Sequence, residues 1–219
     1  IVVTRLTDFL PQSPTIPIHS TLLVPGPDYP GTMDMISILT GQKPTYPETD
    51  IDLDDLAALN YTGGTTGLPK GCEHTQRDMI YTAATVLATG AGLRGPNLNP
   101  MILSFFPVFW IAGENAGVIN PVFFGTTLVL LARWDVEAVL TAIDRYKITS
   151  MGGIVENYLE IMEHPDVKKY NLHSLRSSTC SSFVKKLIPE YRRRWKELTG
   201  CILRESSFGM TETHTMDAF

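Results

Sequence analysis

The chain has 219 residues, 43% of them hydrophobic and 19% charged, which is enough apolar material for one large domain or a domain and a fragment. A formal net charge of −5 argues against a nucleic-acid binder, and the basic run Arg192-Arg193-Arg194 with Lys196 reads as the exposed side of a helix. Cys72, Cys180 and Cys201 are odd in number and lack metal-ligand spacing, which fits a reduced, cytoplasmic protein.

Eight of the fifteen prolines fall between Pro11 and Pro47. With the weak periodicity there, residues 1–50 read as a connector and part of a preceding subdomain. The apolar run Leu56 to Tyr61 predicts a strand, and Thr75 with Asp78 makes a capping pair for a helix through about Leu87. Met101 to Phe106 reads as a strand and Ala112 to Val122 as a helix or packed turn. Thr127 to Leu131 follows as a buried strand. Residues 115–132 carry no charge, but Asn120, Pro121, Gly125, Thr126 and Thr127 interrupt the run, so a buried helix-turn-strand is expected and not a membrane span. Asp135 can cap a helix through about Tyr146. Next come a strand at Ile148 to Met151, a helix at Ile154 to Glu163, a strand at Leu175 to Ser178, a charged helix at Val184 to Leu198 and a strand at Ile202 to Ser206.

This alternation predicts an α/β fold over residues 51–219, a mostly parallel sheet with helices on both faces. Ligands of such sheets sit outside the carboxyl ends of the strands, so the loops after Tyr61, Phe106, Met151, Ser178 and Ser206 should converge.

The loop Tyr61-Thr62-Gly63-Gly64-Thr65-Thr66-Gly67-Leu68-Pro69-Lys70-Gly71 concentrates backbone freedom, hydroxyls and one ammonium. Glycines let N–H groups approach an anion, threonines add neutral donors, and Lys70 adds mobile positive charge, a set suited to a triphosphate. It is not a Walker loop, because the lysine lies three residues after Gly67 and is followed by Gly71. The plainer alternative is a Gly/Thr turn after a buried strand.

That stretch resembles the phosphate loop of the adenylate-forming superfamily, which includes acyl-CoA synthetases, carrier-protein adenylation domains and beetle luciferases. Phe208-Gly209-Met210-Thr211-Glu212 is similar to the superfamily's aromatic-Gly-x-Thr-Glu segment. The resemblance implies that Thr62, Gly63, Gly64, Thr65, Thr66, Gly67 and Lys70 hold the phosphates, with Phe208 beside adenine and Gly209 and Met210 next to it. It also implies that Thr211 approaches the α-phosphate, that Glu212 holds Mg²⁺, and that Lys70, Thr211 and Glu212 are the catalytic set. A single carboxylate suits Mg²⁺, a hard cation usually shared with substrate phosphates. Ser181 and Ser182 keep the smallness of the family's Gly-Ala-Pro turn beside adenine, whereas Phe183 and Val184 are bulkier.

Between the motifs, Pro107 to Gly113 resembles the family's segment between nucleotide and acyl pocket, which assigns Phe109, Trp110 and Gly113 to the substrate pocket. Gly152 and Gly153 join them as places where a substrate can approach a strand end, although a strand-to-helix turn explains them equally well. Many relatives carry histidine where Trp110 and Gln76 stand. Trp110 can wall an acyl pocket or fill the core, but it cannot do imidazole chemistry.

The resemblance implies an ATP-dependent acyl-CoA synthetase acting on a fatty or other apolar carboxylic acid, with ATP, Mg²⁺ and coenzyme A. A homodimer is left open. Amino-acid or aryl-acid adenylation is one alternative, although no aspartate stands between Phe109 and Ala112 to hold an amino group. A non-catalytic ATP-binding module is the other. The family's ribose-binding aspartate, its hinge and its small C-terminal domain have no counterpart here. The 219 residues are therefore expected to be a central fragment of the large N-terminal domain, inactive alone.

Overall fold

A computed structural model of the chain describes residues 1–46, 48–63, 67–89, 100–205 and 208–214. It forms two compact units, Ile1–Ile51 and Asp52–Phe219. In the first, strands β1 (Val2–Val3) and β2 (Met33–Asp34) pair in parallel, and helix α1 (Met35–Thr40) follows. Asp34 caps α1 by accepting hydrogen bonds from the Ser37 N–H and hydroxyl, both at 2.8 Å. None of the described residues of this unit is buried.

The second unit begins with β3 (Leu56–Thr62) and β4 (Lys70–Thr75), which form an antiparallel pair. The sequence places β3 among the parallel strands, whereas the chain turns back after Thr62 and leaves β3 in a hairpin of its own. Only the alternation of Cys72 and His74 with Lys70, Gly71 and Glu73 marks the returning strand, and none of these is a strong strand former.

Helix α2 (Gln76–Thr89) starts at the expected cap. Asp78 accepts from the Thr75 N–H at 2.7 Å and from its hydroxyl at 2.8 Å. These bonds from Thr75 hold the Asp78 carboxyl below the ordinary aspartate value of 3.8. A carboxylate lowered on folding stabilises above its unfolded value and loses that contribution as pH falls through the folded one. Asp78→Asn should therefore cost about 1 kcal/mol at neutral pH. In urea titrations, the gap to wild type should close below pH 3.8; a gap that persists in acid would argue against the cap.

Five strands then build an all-parallel sheet in the order β6-β5-β7-β8-β9: β5 (Met101–Ser104), β6 (Thr127–Leu130), β7 (Ser150–Ile154), β8 (Ser177–Ser181) and β9 (Leu203–Glu205). The expected α/β fold is the observed one. Between β5 and β6 run α3 (Ile111–Glu114), a π turn at Asn115–Ile119 and α4 (Asn120–Phe124). The π turn directly precedes the helical segment of Pro121, whose missing N–H interrupts the regular ladder. The remaining crossovers are α5 (Val136–Tyr146), α6 (Val155–Glu163) and α7 (Pro189–Thr199). Right-handed crossovers put residues 111–124 on the face opposite α5, because β6 and β7 lie on opposite sides of β5.

The core packs α5, α6 and α7 on the sheet through Leu140, Ile143, Met151, Tyr158, Trp195 and Leu203. The Tyr158 hydroxyl donates to the Thr179 carbonyl at 2.7 Å, and its ring meets Trp195 edge-on at 4.8 Å.

Three elements begin two or more residues later than their sequence signals. β7 and β8 each begin two residues on, because serine, threonine and glycine make up most of these buried strands and hide their hydrophobic signature. Helix α7 begins at Pro189, where a fixed φ suits the first helical position; Ile188 before it is extended.

The cysteines are free. Cys180 is 0% exposed, and burial, aided by Glu205, pushes its thiol up to about 12. Its thiolate fraction near about pH 8 is then on the order of 10⁻⁴. Iodoacetamide should leave Cys180 unmodified until the protein unfolds, as read by peptide mass spectrometry; labelling at a free-thiol rate would contradict the packing. Among the described residues, no helix is long and apolar enough to cross a membrane.

Candidate active site

The β3–β4 hairpin positions the phosphate-loop residues. Thr62 closes β3 directly opposite Lys70, the first residue of β4, so the first threonine of the loop and its lysine stand as cross-strand partners at the open end of the hairpin. Gly64, Thr65 and Thr66 lie outside the described residues. Gly63 and Gly67 meet no atom of a described residue within 4 Å of an added Cβ. Packing among the described residues therefore does not require glycine at these two positions, and it leaves their backbone open to an approaching group. Gly71 differs, because a Cβ there would stand 3.3 Å from the ring of its cross-strand partner Tyr61.

The three glycines that the sequence assigns to the substrate pocket are held by neighbouring protein atoms. A Cβ on Gly113 would run into the Pro107 carbonyl, where the chain doubles back into α3. On Gly152 it would meet Thr179 Oγ1 at 3.3 Å, and on Gly153 Asn157 Oδ1 at 3.0 Å and the Phe105 ring at 3.3 Å. These contacts bring the carboxyl ends of β5, β7 and β8 together at the point where the strand order reverses between β5 and β7. Phe109 is 83% exposed and meets Trp110 edge-on at 6.3 Å; Trp110 is itself 55% exposed, so it is not a core tryptophan. Ser181 ends β8 opposite Ile154, and the Ser182 hydroxyl accepts from the Leu187 N–H at 3.0 Å.

In the downstream motif, Phe208 and Met210 are exposed and Gly209 lies between them. Thr211–Thr213 form one 3-10 turn, which packs against both β3 and β4. The turn carrying Thr211 and Glu212 thus lies against the two strands that carry Thr62 and Lys70. Glu212 is exposed, and among the described residues neither it nor Lys70 forms an ion pair. One free carboxylate on a turn beside a phosphate-loop hairpin fits Mg²⁺, which keeps most of its waters and takes its other ligands from phosphate.

Sequence reasoning missed the polar cluster under this site. Asn60 of β3 donates to Glu114 Oε2 at 2.6 Å, which ties the phosphate hairpin to α3. Asn115 donates to the His214 carbonyl at 3.2 Å, and His214 Nδ1 lies 2.9 Å from Thr82 Oγ1 on α2. The His74 and His214 rings are 4.8 Å apart, 3% and 2% exposed. Burial first, and His74 second, lower the pKa of His214 below the usual histidine value. No linear spacing joins residues 60, 74, 82, 114, 115 and 214; only the fold does.

Comparison with known proteins settles the family. The family model described as AMP-binding enzyme matches residues 8–218. The chain belongs to the AMP-binding enzyme family. Within it, the chain is 33% identical over 176 residues to 4-coumarate--CoA ligase 3 of Arabidopsis thaliana, covering 78% of this chain and 30% of that protein. It is 30% identical over 168 residues to a long-chain-fatty-acid--CoA ligase of Bacillus subtilis (strain 168), covering 77% and 29%. Among solved structures, the o-succinylbenzoate coenzyme A synthetase of Bacillus subtilis in complex with ATP and magnesium ion superposes with a TM-score of 0.66 at 25% identity, over 84% of this chain and 38% of that one. The chain therefore spans about 30% of the length of the curated relatives it matches.

Proposed function

We propose that this chain is the phosphate-binding part of an AMP-forming acid–CoA ligase. The observation that carries the reading is the packing of the Thr211–Glu212 turn against both strands of the Lys70 hairpin. The named relatives are acid–CoA ligases, and one related structure holds ATP and magnesium.

In the proposed reaction a carboxylate oxygen of the acid attacks the α-phosphorus of ATP, the bond to the β-phosphate oxygen breaks, and pyrophosphate leaves. The coenzyme A thiol then attacks the acyl carbon and AMP departs. Bringing two anions together is the difficulty of the first step, so positioning and charge neutralisation supply most of the catalysis. Lys70, Thr62 and the open backbone at Gly63 and Gly67 hold the phosphates, with Gly64, Thr65 and Thr66 assigned by resemblance. Thr211 donates toward the α-phosphate and Phe208 offers a face to adenine, flanked by Gly209, Met210, Ser181 and Ser182. Mg²⁺ bound to Glu212 supplies further neutralisation of phosphate charge.

The acid is proposed to be apolar, fatty or aromatic, since Phe109 and Trp110 present exposed aromatic surface just before Gly113, and the Phe106 and Phe105 rings lie against Gly152 and Gly153. The names of the relatives span both kinds of acid. With about 30% of its relatives' length, the chain alone is proposed not to turn over; its three free cysteines support the proposal that the whole protein works in the reducing cytoplasm. Incubating the full-length protein with ATP, Mg²⁺, coenzyme A and a panel of fatty, aryl and amino acids tests the reading by thioester mass. A CoA thioester of an apolar acid is expected. Turnover of amino acids in preference to their deaminated counterparts would replace the acid assignment.

A further inference from the structure

The buried cluster beneath the site is costly as packing alone. Asn60 Oδ1, His74 Nε2, Asn115 Oδ1 and His214 Nε2 are all buried and have no hydrogen-bond partner among the described residues. A buried polar atom left without a partner has its lost hydration uncompensated. Apolar side chains of similar volume would fill the space without that cost.

What the cluster does provide is a fixed position. His214 ends the Thr211–Thr213 turn in the left-handed region, at φ 58° and ψ 26°, which few side chains other than asparagine, aspartate and histidine adopt readily. Its side chain is anchored on α2 through Thr82, its carbonyl on the π turn through Asn115, and its ring against His74 of β4. β4 begins with Lys70, four residues before His74. One residue therefore holds the end of the Glu212 turn to the strand of Lys70, to the helix that follows it, and to the segment that carries Trp110 and Gly113.

We propose that His214 is a positioning residue that sets the Thr211–Glu212 turn in register with the Lys70 hairpin. The inference rests on the acid–CoA ligase reading, and it concerns a residue outside both signature motifs. His214 touches no reacting atom; it acts through the backbone of the turn and through Thr82. Only Nδ1 takes part in the Thr82 contact, and asparagine carries its side-chain oxygen and nitrogen at the same bond distance from Cα as Nδ1. Asparagine also accepts the left-handed backbone.

The test is ATP–pyrophosphate exchange by the full-length protein carrying His214→Ala, His214→Asn, Glu212→Ala, or Glu212→Ala with His214→Ala. A small misplacement of a group that stabilises the transition state costs about ten- to a hundredfold in rate. His214→Ala should lower the maximal exchange rate by about that factor, with the KM for the acid within about twofold of wild type. His214→Asn should recover to within about threefold, and His214→Ala should cost little more once Glu212 is gone. Equal loss from His214→Ala with and without Glu212, or no rescue by asparagine, would overturn the inference while leaving the ligase reading in place. No exchange by the wild-type protein would overturn both.

Discussion

Lys70→Ala in the full-length protein should slow adenylation by about 10²- to 10³-fold, the loss seen when one donor aimed at developing charge is removed. Lys70 is exposed at the mouth of the hairpin, opposite Thr62, and makes no ion pair with a described residue, so its charge is available to phosphate. Its removal leaves β4 intact, because a residue at the start of a strand contributes its backbone to the ladder whatever its side chain. The loss should therefore appear without a change in melting temperature. Glu212→Ala should have a comparable effect, part of it recoverable at high Mg²⁺. ATP–pyrophosphate exchange measures both, and near-normal rates in the two variants would refute the assignment of the site.

Gly113→Ala should destabilise the protein by about 3 kcal/mol or more, the upper range for overpacking. The added methyl would collide with the Pro107 carbonyl and stand 3.2 Å from that of Phe106. The Pro107 carbonyl accepts from the Trp110 N–H at 2.9 Å, so it cannot swing aside without breaking the turn that starts α3. For a unit of this size the loss corresponds to a fall in melting temperature of about 6–12 °C. Calorimetry of the two proteins checks it, and an alanine variant as stable as wild type would mean that the turn is looser than described. Because Glu114 and Asn115 follow immediately, the same substitution should also disturb the contacts to Asn60 and His214.

What could be read from the sequence followed its local chemistry. The Thr75–Asp78 and Asp135 caps announce α2 and α5, because a capping side chain bonds to backbone three residues away and leaves a short-range signature. The parallel sheet follows from the alternation of strands and helices. Strand β4 did not announce itself, since its pairing with β3 spans the phosphate loop and its residues have little intrinsic strand preference. The starts of β7 and β8 were displaced by their small polar residues, whose burial is a property of the assembled sheet. Within the site, the glycines of the phosphate loop and the Thr211–Glu212 pair stand in recognisable strings. Gly113, Gly152 and Gly153 have reasons visible only in space, namely Pro107, Thr179 and Asn157. The Asn60–Glu114 and Asn115–His214 bonds join residues 54 and 99 positions apart, which no local pattern encodes.

ATP–pyrophosphate exchange by the full-length protein, run with fatty, aryl and amino acids in turn, tests adenylate formation without assuming which thiol accepts the acyl group. Exchange that depends on an apolar acid and on Mg²⁺ is the predicted result. A protein that binds ATP but exchanges no pyrophosphate with any of these acids would contradict the central claim and favour a non-catalytic nucleotide-binding module.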